Sequence, residues 1–207
     1  MRLICISDTH ARHEAVFIPD GDVLVCAGDF TGHGEKRDVV AFNDWLGKLP
    51  HRHKVVIAGN HDFCFEQTPA EARSWLTAAT YLQDDGVTLD GVTFWGSPWQ
   101  PRFFDWAFNL DRGALLAKKW AKIPTGVDVL VTHGPPHGIL DRTDRGEPVG
   151  CEELLTAVVE RVKPKVHVFG HIHEAYGRET RGPTTFVNAS NCDLRYRPRN
   201  AAFIVDL

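Results

Sequence analysis

Five short polar clusters interrupt otherwise apolar stretches of this chain: Asp8-Thr9-His10, Gly28-Asp29, Gly59-Asn60-His61-Asp62, Thr132-His133-Gly134 and Gly170-His171-Ile172-His173. Each follows a segment rich in Val, Ile and Leu. Each therefore reads as the loop at the carboxyl end of a buried strand, where open α/β sheets assemble their sites. Asp8, His10, Asp29, Asn60, His133, His171 and His173 together offer seven nitrogen and oxygen ligands, enough for two adjacent divalent ions, with His61 left over. A metal pair of that kind clamps the attacking and leaving oxygens of an in-line displacement at phosphorus. The pattern points to metal-dependent phosphoester chemistry.

The members of Asp8-x-His10 and His171-x-His173 stand two residues apart, so in extended chain each pair faces one way and converges on one point. Gly28, Gly59 and Gly170 immediately precede ligand residues, where a missing Cβ lets the backbone turn tightly off a strand. Asp29 can bridge two cations, while neutral imidazoles and the Asn60 carbonyl complete the shells without excess negative charge. One such cluster alone is weak evidence; five in this order, each after a strand, are strong. With no thiolate in the set, Mn²⁺, Fe²⁺, Co²⁺ and Zn²⁺ all suit it, Mn²⁺ being favoured.

The elements that must position these residues are legible in outline. Strands are expected at Leu3–Ile6, Val23–Ala27, Lys54–Ala58, Val92–Trp95, Val127–Val131, Val166–Phe169, Thr185–Asn188 and Ala202–Val205, several of them continuous apolar runs as in strands covered on both faces. Helices are expected near Lys36–Leu49, Pro69–Thr77, Ala114–Lys122 and Glu152–Val162. In the first, Val39, Val40, Phe42, Trp45, Leu46 and Leu49 recur at helical spacing and Pro50 stops it. The last third is mostly strands, which favours an α/β sandwich of two mixed sheets flanked by helices over one doubly wound sheet. With 207 residues and no linker or repeat, one domain spanning 1–207 is expected.

A hydrophobic share of 43% and a charged share of 24% are ordinary for a globular chain. The net charge of −4 argues against a grip on long nucleic acid; two divalent cations would cancel it locally. No apolar run reaches the ~20 residues a membrane span requires. Met1 leads straight into a strand, so no signal peptide is expected. The five cysteines, scattered and odd in number, suit a reducing, cytoplasmic setting.

The clusters, in this order, resemble those of the calcineurin-like metallophosphoesterase superfamily. That resemblance implies a four-layer α/β/β/α sandwich. It implies a first metal held by Asp8, His10, Asp29 and His173, and a second held by Asp29, Asn60, His133 and His171. His61 would be the general acid, with Asp62 supporting its orientation or charge. The runs CISDTH, AGDFTG, FNDWLG, VIAGNHD, LVTHGPP, HVFGHIHEAYG and VNASNCDLRYRPRNAAFIVDL are similar to those of the metallophosphoesterase-domain-containing (MPPED-like) proteins, class III phosphodiesterases of cyclic nucleotides. Some of those carry Gly where this chain has His171, so a complete second site and better turnover are implied. The implied reaction is hydrolysis of a small phosphodiester, a 2′,3′- or 3′,5′-cyclic nucleotide, by a hydroxide bridging two divalent ions, with His61 protonating the leaving oxygen. A phosphomonoesterase or nuclease of the same superfamily, and a non-catalytic metal- or nucleotide-binding scaffold, remain as alternatives.

Between Phe94 and Phe108 lie seven aromatics: Phe94, Trp95, Trp99, Phe103, Phe104, Trp106 and Phe108. Most are expected to pack on one another over the sheet; Trp99 and Phe103 are the candidates for stacking a nucleobase. Arg195, Arg197 and Arg199 alternate and are expected on one solvated face of an extended segment. His13, His33 and His137 sit near ligands and are candidates to line the pocket, whereas His51, His53 and His167 read as surface or structural.

Overall fold

Alternating apolar side chains give each central strand two buried faces, and the computed structural model, which describes Met1–Leu207, uses both. One sheet holds β1 (Arg2–Ile6), β2 (Val23–Cys26), β3 (His53–Val56), β4 (Thr80–Tyr81) and, at its far edge beside β1, the last strand of the chain. The second sheet contains β5 (Asp85–Leu89) and β6 (Val92–Ser97); a small ribbon, β7 (Gln100–Pro101) with β8 (Asn109–Leu110), stands apart. β9 (Val129–Thr132), β10 (Val166–Phe169), β11 (Gly177–Arg181) and β12 (Thr184–Asn188) complete the second sheet in the order β11-β12-β10-β9-β6-β5, and β13 (Phe203–Asp206) closes the first as β13-β1-β2-β3-β4. The strands ending on the candidate ligands, β1, β2 and β3 in one sheet and β9 and β10 in the other, run parallel to one another within each sheet.

The period of two sorts the core into three layers. Leu3, Cys5, Val23, Val25 and Val55 meet Val129, Val131, Val166, Val168 and Val187 between the sheets. The alternate residues Ile4, Ile6, Leu24 and Cys26 face α1 (Lys36–Lys48), α2 (Phe63–Gln67) and α3 (Pro69–Trp75). On the far side Leu130, Phe169 and Phe186 face α4 (Ala114–Trp120) and α5 (Glu152–Thr156), which continues as a π-helical turn over Ala157–Val162. The result is the expected four-layer α/β/β/α sandwich. All five cysteines are buried free thiols, and burial pushes the Cys5 thiol up to about 12. No helix is long and apolar enough to cross a membrane.

All eight expected strands and four expected helices are present. Outside the expected elements lie the short β4, β7, β8 and α2, and also β5 and β11, whose exposed, polar-rich residues break the apolar pattern. The segment bearing Arg195, Arg197 and Arg199 is a turn rather than an extended face. The Asp193 carboxylate accepts the Arg195 and Arg197 amides and draws in the Arg197 and Arg199 guanidinium groups.

Candidate metal centre

The two sheets meet at a parallel bridge between Ser7, just past β1, and Ser190, just past β12, which sets the loops after both sets of strands beside one another. The Asp8 amide donates to the Gly28 carbonyl (3.0 Å) and the His10 amide to the Asp29 carbonyl (2.9 Å), so the first two loops are laced together. Asp8 and His10 do converge, though not through extended chain, whereas His171 and His173 do not share a ligand group. Asp8 (φ 53°), His10 (43°), Asp29 (53°) and His171 (69°) are all left-handed, a conformation that Asp and His adopt more readily than most residues. Gly59 and Gly170 serve by close approach: a Cβ on Gly59 would strike Asp29 Oδ1, and one on Gly170 would strike Asp8 Oδ2 and Ser7 Oγ.

Three groups of ligand atoms, each drawn together within 4.8 Å, form in the seam: Asp8, His10 and His173; His10, Asp29 and His61; and Asp8, Asp29 and His133. Asp8, His10 and Asp29 each belong to two of them, and Asp29 is the carboxylate with three imidazoles around one oxygen, which suits a bridge. Its Oδ2 lies 3.5 Å from His133 Nε2, 3.9 Å from His10 Nε2 and 4.0 Å from His61 Nε2. Asn60 Oδ1 stands 2.9 Å from His133 Nε2. His171 lies at the edge of the cluster, its ring 5.1 Å from that of His133 and outside the three groups. The imidazoles are oriented from behind by main-chain carbonyls: His133 Nδ1–H donates to Ala27 (2.8 Å) and His173 Nδ1–H to Asp193 (3.1 Å), which leaves each Nε2 facing inward. The Ser190 hydroxyl and the His171 amide donate to Asp8.

The donor set fits divalent cations. Asp8 and Asp29 are buried, and burial alone would push both pKa values up; His173 beside Asp8 and His133 beside Asp29 instead hold both well below the usual range. Burial lowers His133 and His173, yet Asp29 and Asp8 respectively carry them up to about 9. His10, dominated by burial, falls to about 4. The seam thus concentrates negative charge that demands positive charge in return. Two contacts make the same point: His133 Nε2 against Asn60 Oδ1, and His10 Nε2 against His173 Nε2 at 3.2 Å. In each, atoms bearing lone pairs face one another and need a proton or a metal ion between them.

Above this floor opens a cleft of about 690 Å³ lined by Asp29, Asn60, His61, His171 and His173, with Phe103, Tyr196 and Arg145 on its walls. The His61 Nδ1–H donates to the Gly32 carbonyl (2.8 Å) and its amide to Asp29 Oδ1 (2.8 Å), leaving Nε2 toward the cleft. Asp62 does not touch the His61 ring, contrary to expectation. Its carboxylate accepts the amides of Asp29, Gly59 and Thr31 and the Thr31 hydroxyl, tying two ligand loops together; burial and then Asp29 raise its pKa. Phe103 is on the cleft wall, 45% exposed and 5.5 Å from the His171 ring. Trp99 is not: its indole N–H donates to Asp84, Lys119 lies 3.7 Å over its ring, and it packs against Phe108 away from the cleft. Sequence reasoning passed over Tyr196, whose ring is 4.6 Å from His10, and Trp106, which lies against His61. None of His13, His33 and His137 lines the cleft; His13 packs on Phe42 and Trp45, and His33 on Phe63.

A family model described as calcineurin-like phosphoesterase matches residues 1–175. "Metallophosphoesterase domain-containing protein 1" of Homo sapiens is 47% identical over 230 residues, covering 100% of this chain and 71% of that protein. "UPF0046 protein T07D4.2" of Caenorhabditis elegans is 43% identical over 237 residues, covering 100% of this chain and 60% of its own length. The crystal structure of TT1561 of Thermus thermophilus superposes with a TM-score of 0.61 at 14% identity, over 90% of this chain and 88% of the other, a likeness of fold.

Proposed function

Since the chain belongs to the calcineurin-like phosphoesterase family, we propose that this metal-dependent phosphoesterase cleaves small phosphodiesters, 2′,3′- or 3′,5′-cyclic nucleotides, with two divalent ions at its centre. The observation that carries the reading is the position of Asp29, shared between two ligand groups on the floor of a cleft. Asp8, His10, Asp29 and His173 would hold one ion and Asp29, Asn60, His133 and His171 the other, Mn²⁺ suiting the mixed oxygen and imidazole set. When bound, the ions supply Lewis acidity and a nucleophile at neutral pH.

The chain's own residues then have separate tasks. His61 would offer Nε2–H to the departing oxygen, with the Gly32 carbonyl holding Nδ1–H from behind and so fixing the ring. Phe103 and Tyr196 give the cleft apolar walls against which the organic part of an ester can lie. Arg145, which has no ion-pair partner, adds positive charge for an anionic substrate.

Turnover of bis(4-nitrophenyl) phosphate, followed with and without a chelator and beside a panel of cyclic nucleotides and monoesters, tests the proposal. Loss of turnover with chelator, its return with Mn²⁺ and a preference for diesters support it. Chelator-insensitive turnover, or cleavage of monoesters alone, overturns it.

A further inference from the structure

Of the aromatics between Phe94 and Phe108, Trp106 alone stacks on His61, with ring centroids 4.2 Å apart and planes inclined by 30°. The imidazole is otherwise held by its Nδ1–H bond to the Gly32 carbonyl (2.8 Å) and by the His10 ring against it at 4.5 Å and 73°. The outer torsion of a His side chain is soft, with broad wells. Two contacts fix one vertex and one side of the ring; the indole covers the face that would otherwise swing.

Trp106 is itself held in register with His61. The next amide, of Ala107, donates to the Asn60 carbonyl (3.2 Å), so the loop is fastened to the residue before His61. The Asn109 side chain clasps the same loop, accepting the Phe103 amide (3.1 Å) and donating to the Phe104 carbonyl (2.8 Å). Phe63 and His33 back the indole at 5.7 Å each.

We propose that Trp106 is a positioning residue for the hydrolytic step, its indole face fixing the His61 imidazole so that Nε2 stays aimed into the cleft. The proposal rests on the reading of His61 as the acid. Its signature is therefore loss of help to poor leaving groups, which a mere wall of the cleft would not produce.

The test uses Mn²⁺-loaded full-length protein and aryl methyl phosphates whose leaving phenols span a range of acidity. Trp106→Ala is expected to slow esters of the least acidic phenols by about 10–100-fold, with smaller losses on the nitrophenyl ester. The dependence on leaving-group pKa should steepen in the same sense as in His61→Ala. Trp106→Phe, which keeps an aromatic face, should recover most of the wild-type dependence, and serves if the Ala variant fails to fold. Added to His61→Ala, the Trp106 change should cost less than about twofold more, since both remove one function. A wild-type dependence in Trp106→Ala while His61→Ala shows the steeper one, or losses that multiply in the double variant, overturns the role of Trp106. An unaltered dependence in His61→Ala overturns the acid itself, and the positioning role with it.

Discussion

Replacing Asp62 with Asn separates a tie between loops from a partner of the acid. Asp62 is fully buried, with Oδ2 accepting the Asp29 amide (2.9 Å) and the Gly59 amide (2.8 Å). Its Oδ1 accepts the Thr31 amide (3.0 Å) and hydroxyl (2.8 Å). Asn keeps one oxygen for the Asp29 and Gly59 amides and turns its NH₂ to Thr31, whose hydroxyl can accept it and donate instead to the His61 carbonyl (3.2 Å), so the Thr31 amide is the one buried donor stranded. That stranded donor costs about 1–3 kcal/mol. Against a total stability of about 5–15 kcal/mol that is a large share. Urea unfolding at neutral pH should show the midpoint falling with an unchanged slope. Mn²⁺ affinity should fall with it, because the loop that carries Asp29 loses its Thr31 tie to Asp62. The dependence of rate on leaving-group acidity should stay wild-type, since Asp62 does not touch the His61 ring. Burial and Asp29 push the Asp62 pKa upward, and a carboxyl protonated in the fold would resemble Asn and lose little on replacement. A cost below about 1 kcal/mol would therefore refute the four-bond tie, being smaller than the loss of one such bond.

Three further outcomes follow from named contacts. His167 is fully buried and donates from Nε2 to the Thr132 hydroxyl, and burial pushes it down to about 3. Its folded pKa lies below the unfolded value, so its contribution is intact above about pH 6.5 and is lost as pH falls toward 3, by at most ~1.4 kcal/mol per unit. Unfolding curves of wild type and His167→Gln should converge on acidification, and parallel curves would contradict this. Gly170→Ala should cost about 1–3 kcal/mol and weaken metal binding by driving Asp8 aside. Gly47→Ala, in α1 with open space around it, should stabilise by about 0.5–1 kcal/mol, and equal melting shifts in the two would discount the clash. Trp99→Ala should cost about 2 kcal/mol, a half-buried share of a core truncation, while keeping the ratio of cyclic-nucleotide to nitrophenyl-ester turnover. Phe103→Ala should change that ratio, and the reverse result would restore Trp99 as the substrate contact.

What could be read in the sequence was whatever side chains alone determine. Strands buried on both faces betray themselves as apolar runs, and the ligands as polar residues at their ends. β5 escaped because Asp85, Gly86 and Thr88 give it no such run. Yet a signal was present: Asp90-Gly91, with φ of 47° and 82°, is the two-residue turn that favours a hairpin between β5 and β6. The orienting carbonyls of Ala27, Gly32 and Asp193 left no trace, because every residue carries a carbonyl. The places of Trp99 and Trp106 could not be read because neither lies on a regular helix or strand, so nothing periodic told which indole lies against His61.

The failure of the extended-chain argument at Asp8, His10, Asp29 and His171 has a physical meaning of its own. Local preference and global geometry disagree there, and such disagreement is maintained only where surrounding contacts over-determine the backbone. The contacts are identifiable: the Asp8 and His10 amides bonded to the Gly28 and Asp29 carbonyls, the His171 amide bonded to the Asp8 carboxylate, and the Asp29 amide bonded to Asp62. Each strained ligand is thus held by another ligand loop rather than by its own strand. Convergence is consequently a collective property of the seam, and a substitution that frees one loop should loosen its neighbours as well.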